Sequence, residues 1–81
     1  NAEAARRDAK TELQEWAHQA HGVTPAYKVI ARTGPDHDPV FTVSVTVGAM
    51  KPETAEGRSK RIAEQAAASR MLVREKVRDD D

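Results

Sequence analysis

The sequence predicts a small α+β domain of α-β-β-β-α order, in which two helices pack on one face of a three-stranded antiparallel sheet. Three observations carry this expectation: helical spacing of apolar residues near the start, strict alternation from Phe41, and an alanine-rich helical stripe near the end. Helices segregated from an antiparallel meander form a two-layer sandwich. With 81 residues the chain has room for one core, and domains of this size bury only about 60% of their unfolded surface.

The first helix is expected between Asp8 and His21. Leu13, Trp16, Ala17 and Ala20 follow the i, i+3, i+4, i+7 spacing of an amphipathic helix, with Asp8 as N-cap and Gly22 as stop. After Pro25, Tyr27, Val29 and Ala31 alternate with Lys28, Ile30 and Arg32 as in a strand. Thr33 to Pro39, with Gly34, Pro35 and Pro39, reads as a loop. Phe41, Val43, Val45 and Val47 then share one face, and Thr42, Ser44 and Thr46 the other, as in a half-buried antiparallel strand. Pro52 restricts a short third strand before Gly57 to a sheet edge or to a start after the proline. From Ser59 to about Lys76 helical character returns, with Ala63, Ala66, Ala67 and Met71 on one stripe and Ile62, Ala68 and Leu72 beside it. Residues 1–7, ending in Arg6 and Arg7, are expected to be a linker remnant, residues 8–76 the domain, and residues 77–81 a disordered acidic tail.

Composition removes several classes of function. Without cysteine there is no disulfide framework and no thiolate metal site, which fits a reducing cytoplasm. No apolar run approaches the roughly 20 residues of a membrane span, so a soluble cytoplasmic protein is expected. Trp16, Tyr27 and Phe41 are the only aromatic residues, too few for single-strand binding on rows of stacked bases. Net charge is zero, which argues against a polyanionic partner until its distribution is considered. Arg58, Lys60 and Arg61 stand together with no acid between Gly57 and Ala63, while Asp79, Asp80 and Asp81 cancel three positive charges from the tail.

The start of the second helix is the most informative anomaly. A helix N-terminus is already positive, so Lys60 and Arg61 in the first turn cost about 0.3–1 kcal/mol each unless an anion sits there. A phosphate backbone would remove the conflict; two solvated surface cations would also give this sequence. On the first helix, Thr11, Gln14, Glu15 and His18 form a polar arc away from Leu13 and Trp16. Their mixed donors and acceptors suit 2′-hydroxyls and base edges in the shallow minor groove of A-form RNA, although an ordinary wet helix face has the same pattern. The turn Gly34-Pro35-Asp36-His37 could hold His37 in a second minor groove. The three signals gain force only if the fold places them on one surface.

The segments Thr11-Glu12-Leu13-Gln14-Glu15-Trp16, Gly34-Pro35-Asp36-His37, Phe41-Thr42-Val43 and Gly57-Arg58-Ser59-Lys60-Arg61-Ile62-Ala63-Glu64-Gln65-Ala66-Ala67 closely resemble the carboxy-terminal double-stranded-RNA-binding domain of bacterial ribonuclease III. The resemblance spans about Asp8 to Leu72, and its last motif is the most specific. It implies the α-β-β-β-α fold of such domains and three contact regions. Thr11, Gln14 and Glu15 match a first-helix region entering one minor groove, and Pro35, Asp36 and His37 match a loop entering the next. Arg58, Ser59, Lys60 and Arg61 match the region spanning the intervening major-groove phosphates. As a class these domains cover about 16 base pairs, largely by shape. Many relatives outside ribonuclease III carry a third lysine where Glu64 stands, which would weaken phosphate attraction here.

The resemblance further implies a parent ribonuclease III that processes duplex RNA, such as rRNA and other precursors. Such an enzyme is a homodimer through its nuclease domain and depends on magnesium, whereas this isolated domain is expected to be monomeric, without cofactor and without catalytic residues. Two-metal phosphodiester chemistry needs several converging carboxylates around ions about 3.5–4 Å apart, and Asp36 and Asp38 flanking a histidine do not supply them. His18 and His21 have a spacing seen in metal sites but no cysteine or second pair to complete one. The alternative from another class is a protein-interaction or dimerisation module of the same fold, suggested by the zero net charge and by Glu64.

Overall fold

The computed structural model describes residues 8–79; the expected linker at residues 1–7 and the last two residues of the acidic tail, Asp80 and Asp81, lie outside them. The elements are α1 (Ala9–His21), β1 (Ala26–Thr33), β2 (Val40–Thr46), β3 (Glu53–Gly57) and α2 (Lys60–Arg74). The α-β-β-β-α order is as the patterning predicts.

Both ends of α1 are set by the residues expected there. The Asp8 carboxylate accepts from the Thr11 N–H, and Gly22, at φ 66°, closes the helix in the left-handed region, where glycine has no side-chain penalty. Strand β2 is central, pairing antiparallel with β1 and with β3. β3 begins directly after Pro52, at the sheet edge, where the missing N–H does no damage. α2 lies across β2 and β3, and α1 packs on α2. Leu13, Ala17, Val43, Val45, Val47, Ala63, Ala67, Ala68, Met71 and Leu72 are fully buried between these layers. Alanines at 63, 67 and 68 let α2 approach closely, while β2's valines fill the facing side.

Several apolar residues of the expected strand and helical stripes are not buried. Because α2 covers β2 and β3, β1 overhangs, and its alternation brings little burial: Val29 is 39% and Ile30 51% exposed. A register shift between Val29 and Ala31 breaks the alternation at Ile30. Ile62 is 55% exposed, Ala20 is exposed, and Trp16 is half-buried beside the cluster. At the other end, folded contacts continue past the boundary expected at Lys76. The N–H groups of Val77 and Arg78 donate back to the Leu72 carbonyl, Val77 packs on the core, and the Arg78 guanidinium pairs with Glu12 on α1.

Tyr27 is the one β1 side chain drawn inward. Its hydroxyl is buried with no hydrogen-bond partner among the described residues, and the Lys10 ammonium sits 5.0 Å from its ring centroid. Burial, reinforced by the negative charges of Glu64 and Asp8, pushes the phenol up to about 12. A phenol whose pKa is raised by folding leaves stability whole below its unfolded value of about 10 and drains it as pH rises toward that of the folded state. Tyr27→Phe is therefore expected to raise stability by about 1 kcal/mol, by removing an unsatisfied hydroxyl. The substitution should also flatten the loss of stability between about pH 10 and 12; denaturant titrations across that range check both effects.

Candidate nucleic-acid interface

The basic residues sort into two groups. Lys10 pairs with Glu64 (2.6 Å), Arg32 with Asp36 (3.9 Å), Arg70 and Arg74 with Glu53 (3.4 and 3.3 Å), and Arg78 with Glu12. Among the described residues, Arg58, Lys60 and Arg61 take part in no such pair, and neither do the scattered Lys28, Lys51 and Lys76. Glu12, Asp36, Glu53 and Glu64 are thus committed to cations outside the start of α2. A cationic cluster outside these ion pairs remains at the start of α2, with all three side chains exposed and the Arg61 charge near the Asp8 carboxylate.

That start is built by Gly57 and Ser59. The Ser59 hydroxyl accepts from the Ile62 N–H at 3.1 Å as N-cap, and the first turn of α2 contains no acid. Gly57 lets β3 run into the helix at close range: a Cβ there would lie 2.6 Å from the Ala63 nitrogen and 2.7 Å from Ile62 Cγ2. The cations and the positive helix end therefore point outward at a place fixed by the sheet.

The sheet register puts the loop at the same end. Arg32 pairs with Phe41 and Phe41 with Gly57, so the end of β1, the start of β2 and the end of β3 form one row. The β1–β2 loop leaves this row from Thr33, and α2 begins three residues after Gly57. In the loop the Asp38 N–H donates to the Pro35 carbonyl at 2.9 Å, closing a turn whose tip, Asp36 and His37, is exposed. Gly34 has φ 85°, and a Cβ there would meet the Asp38 carbonyl at 2.8 Å, so the turn requires glycine.

α1 completes the arrangement. An open groove between the helices is lined by Asp8, Lys10, Thr11, Gln14, Arg61 and Gln65, which places the start of the α1 polar face beside the α2 cations. Thr11 donates its hydroxyl to Asp8 at 3.2 Å, while Gln14 and Glu15 are exposed. His18 is turned toward the end of α1, within 2.9 Å of the Thr24 hydroxyl. Desolvation pushes the Asp8 carboxyl up, but hydrogen bonds from the Thr11 N–H, the Gln65 amide and the Thr11 hydroxyl, with the nearby Arg61 charge, more than offset it and hold the pKa below its ordinary value. The stability tied to this depression is present above the unfolded pKa and is lost as pH falls through the folded one.

Two features were not anticipated from sequence. Glu64, read as a weakness in the cationic surface, is neutralised by Lys10 across the helix interface. Gln65 reaches from α2 to the amino end of α1, and its partners are 55 to 57 positions away in the chain, so no local pattern announces it. Among the described residues no group of three or more histidines and carboxylates could hold a metal ion, and no helix is long and apolar enough to cross a membrane.

Comparison with known proteins agrees with this geometry. Residues 9–73 match the family model of the double-stranded RNA binding motif. The chain is 70% identical over 74 residues to ribonuclease 3 of Mesorhizobium japonicum and 68% identical to that of Brucella canis. The match takes in 91% of this chain but only 34% and 30% of those relatives, so the chain spans about a third of their length. Among solved structures, the first dsRBD of protein HYL1 superposes with a TM-score of 0.61 at 27% identity, covering 88% of this chain and 99% of that one. With the family model matching most of its length, the chain belongs to the double-stranded RNA binding motif family.

Proposed function

We propose that this domain binds double-stranded RNA by shape and serves as the substrate-holding part of a ribonuclease III. The observation that carries the reading is the cluster of Arg58, Lys60 and Arg61, without an ion pair among the described residues, at a helix N-terminus, beside the polar face of α1 and on the same sheet end as the Pro35–His37 turn. Cations, free first-turn N–H groups and the helix dipole together attract phosphate. Thr11, Gln14 and Glu15 on one side, and Asp36 and His37 on the other, would reach the flanking minor grooves, where 2′-hydroxyls distinguish RNA from DNA. Cleavage of rRNA and other precursors would fall to a separate, magnesium-dependent and dimeric nuclease domain. Among the described residues no group of three or more histidines and carboxylates could form a two-metal centre, so no catalytic step is drawn through them. The domain itself would act as a monomer in the cytoplasm.

A direct titration tests the reading. A duplex of about 20 base pairs, longer than the roughly 16 such domains cover, is offered as RNA and as DNA of the same sequence over a salt series. RNA is expected to bind more tightly than DNA, and affinity to fall steeply with salt. Equal binding of both duplexes would remove the 2′-hydroxyl contacts from the proposal. Absence of binding to either would favour a protein-interaction role.

A further inference from the structure

We infer that Gln65 is a positioning residue for duplex-RNA binding: it fixes the amino end of α1 on the first turns of α2, so that the α1 polar face and the α2 cations meet the duplex at one set spacing. The inference rests on the RNA-binding reading above. Gln65 Oε1 accepts from the backbone N–H groups of Ala9 (3.1 Å) and Lys10 (3.4 Å), and its Nε2 donates to the Asp8 carboxylate. The first N–H groups of a helix have no partner within it, and here α2 supplies one. The neighbouring Lys10–Glu64 pair, at 2.6 Å, ties the same two turns a second time.

Opposite an ionised Asp8, a carboxamide suits the position: it presents an acceptor and a donor on one planar group without charge. Glutamate would still accept from the two amides but would set a second carboxylate against Asp8; methionine, of similar length, would make neither bond. Gln65 shares its groove with Thr11 and Gln14 of α1 and with Arg61 of α2. A shift of α1 would therefore misplace Thr11 and Gln14 relative to a duplex whose phosphates are held at Arg61. A-form RNA is stiff and is read by its shape, so it would not follow such a shift.

The test measures duplex-RNA affinity and melting temperature for the intact chain and its variants. Gln65→Met, which adds no charge, is expected to remain folded and to bind about tenfold more weakly, the fold-change of one lost hydrogen bond to a charged group. In that background Gln14→Ala should cost almost nothing although it costs the wild type about fivefold, whereas Arg61→Ala should cost the same in both. Gln65→Glu combined with Asp8→Asn moves the amide onto α1 and the carboxylate onto α2, keeps the N-cap oxygen for Thr11, and should restore affinity to within about twofold. Wild-type affinity in Gln65→Met, or a Gln14→Ala cost that is equal in both backgrounds, overturns the inference. Recovery of melting temperature without recovery of affinity in the exchanged pair does so too, because Gln65 would then serve stability alone. Failure of the wild-type chain to bind duplex RNA at all would instead bring down the reading on which the inference rests.

Discussion

Reversing two charges at the start of α2, with Lys60→Glu and Arg61→Glu together, is expected to weaken duplex-RNA binding by at least about a hundredfold, since each lost hydrogen bond from a cation to phosphate costs about 1.5 kcal/mol or more. The slope of log affinity against log salt should become shallower by nearly two, because two phosphate contacts no longer release counterions. Stability should move the other way. Neither side chain forms an ion pair among the described residues, and the first turn of α2 contains no acid. Two glutamates there would complement the helix dipole, each adding about 0.3–1 kcal/mol, reduced at position 61 by loss of the Arg61 charge near the Asp8 carboxylate. A variant that melts higher and binds RNA far more weakly would mark Lys60 and Arg61 as residues held against the preference of their own helix. Unchanged affinity in the folded variant would remove the phosphate site from this surface. Calorimetric melting and a binding titration on one preparation check both halves.

How far the sequence foretold this arrangement depends on the range of the interaction. Asp8 and Gly22 act within one helical turn, and their caps follow from residue type and position alone, whereas Ser59, expected as the first residue of the second helix, is its N-cap. β2 was equally legible, because a strand covered on one face leaves a period-two record. β1 has alternation of the same kind, but burial depends on where α2 lies, and α2 lies over β2 and β3. Ile62 fits a helical stripe yet faces solvent, because the stripe that packs is centred on Ala63 and Ala67. On the interface, the cations and the turn could be marked as candidates one by one. Their convergence could not be read, since it arises from the Arg32, Phe41 and Gly57 register and from the Gln65 bridge between helices. The zero net charge was the most misleading quantity: Glu12, Glu53 and Glu64 pair with cations outside the start of α2, and three further acids are Asp79, Asp80 and Asp81, so a neutral chain keeps a basic patch.

A single added methyl group at the β3–α2 junction tests whether that patch depends on its frame. In Gly57→Ala the new Cβ would lie 2.6 Å from the Ala63 nitrogen, 2.7 Å from Ile62 Cγ2 and 3.0 Å from Ala63 Cα. The Ile62 side chain is exposed and can turn away, but the Ala63 backbone cannot, because its N–H is bonded to the Ser59 carbonyl at 3.0 Å and its side chain is buried. The overlap must then be relieved by moving the first turn of α2 away from β3. Overpacking of this kind costs about 1–3 kcal/mol, and the upper part of that range is expected because two of the three close atoms are backbone. The movement carries Lys60 and Arg61 with it, so RNA affinity should fall even at temperatures where the variant is fully folded. Gly22→Ala provides the comparison, costing about 1–2 kcal/mol through its left-handed backbone while leaving the junction unobstructed. If Gly57→Ala lowers stability but binds duplex RNA as the wild type does, the cations tolerate displacement and the phosphate contacts are diffuse. A larger loss of affinity in Gly57→Ala than in Gly22→Ala, measured well below both melting temperatures, would tie RNA binding to the close approach of strand and helix.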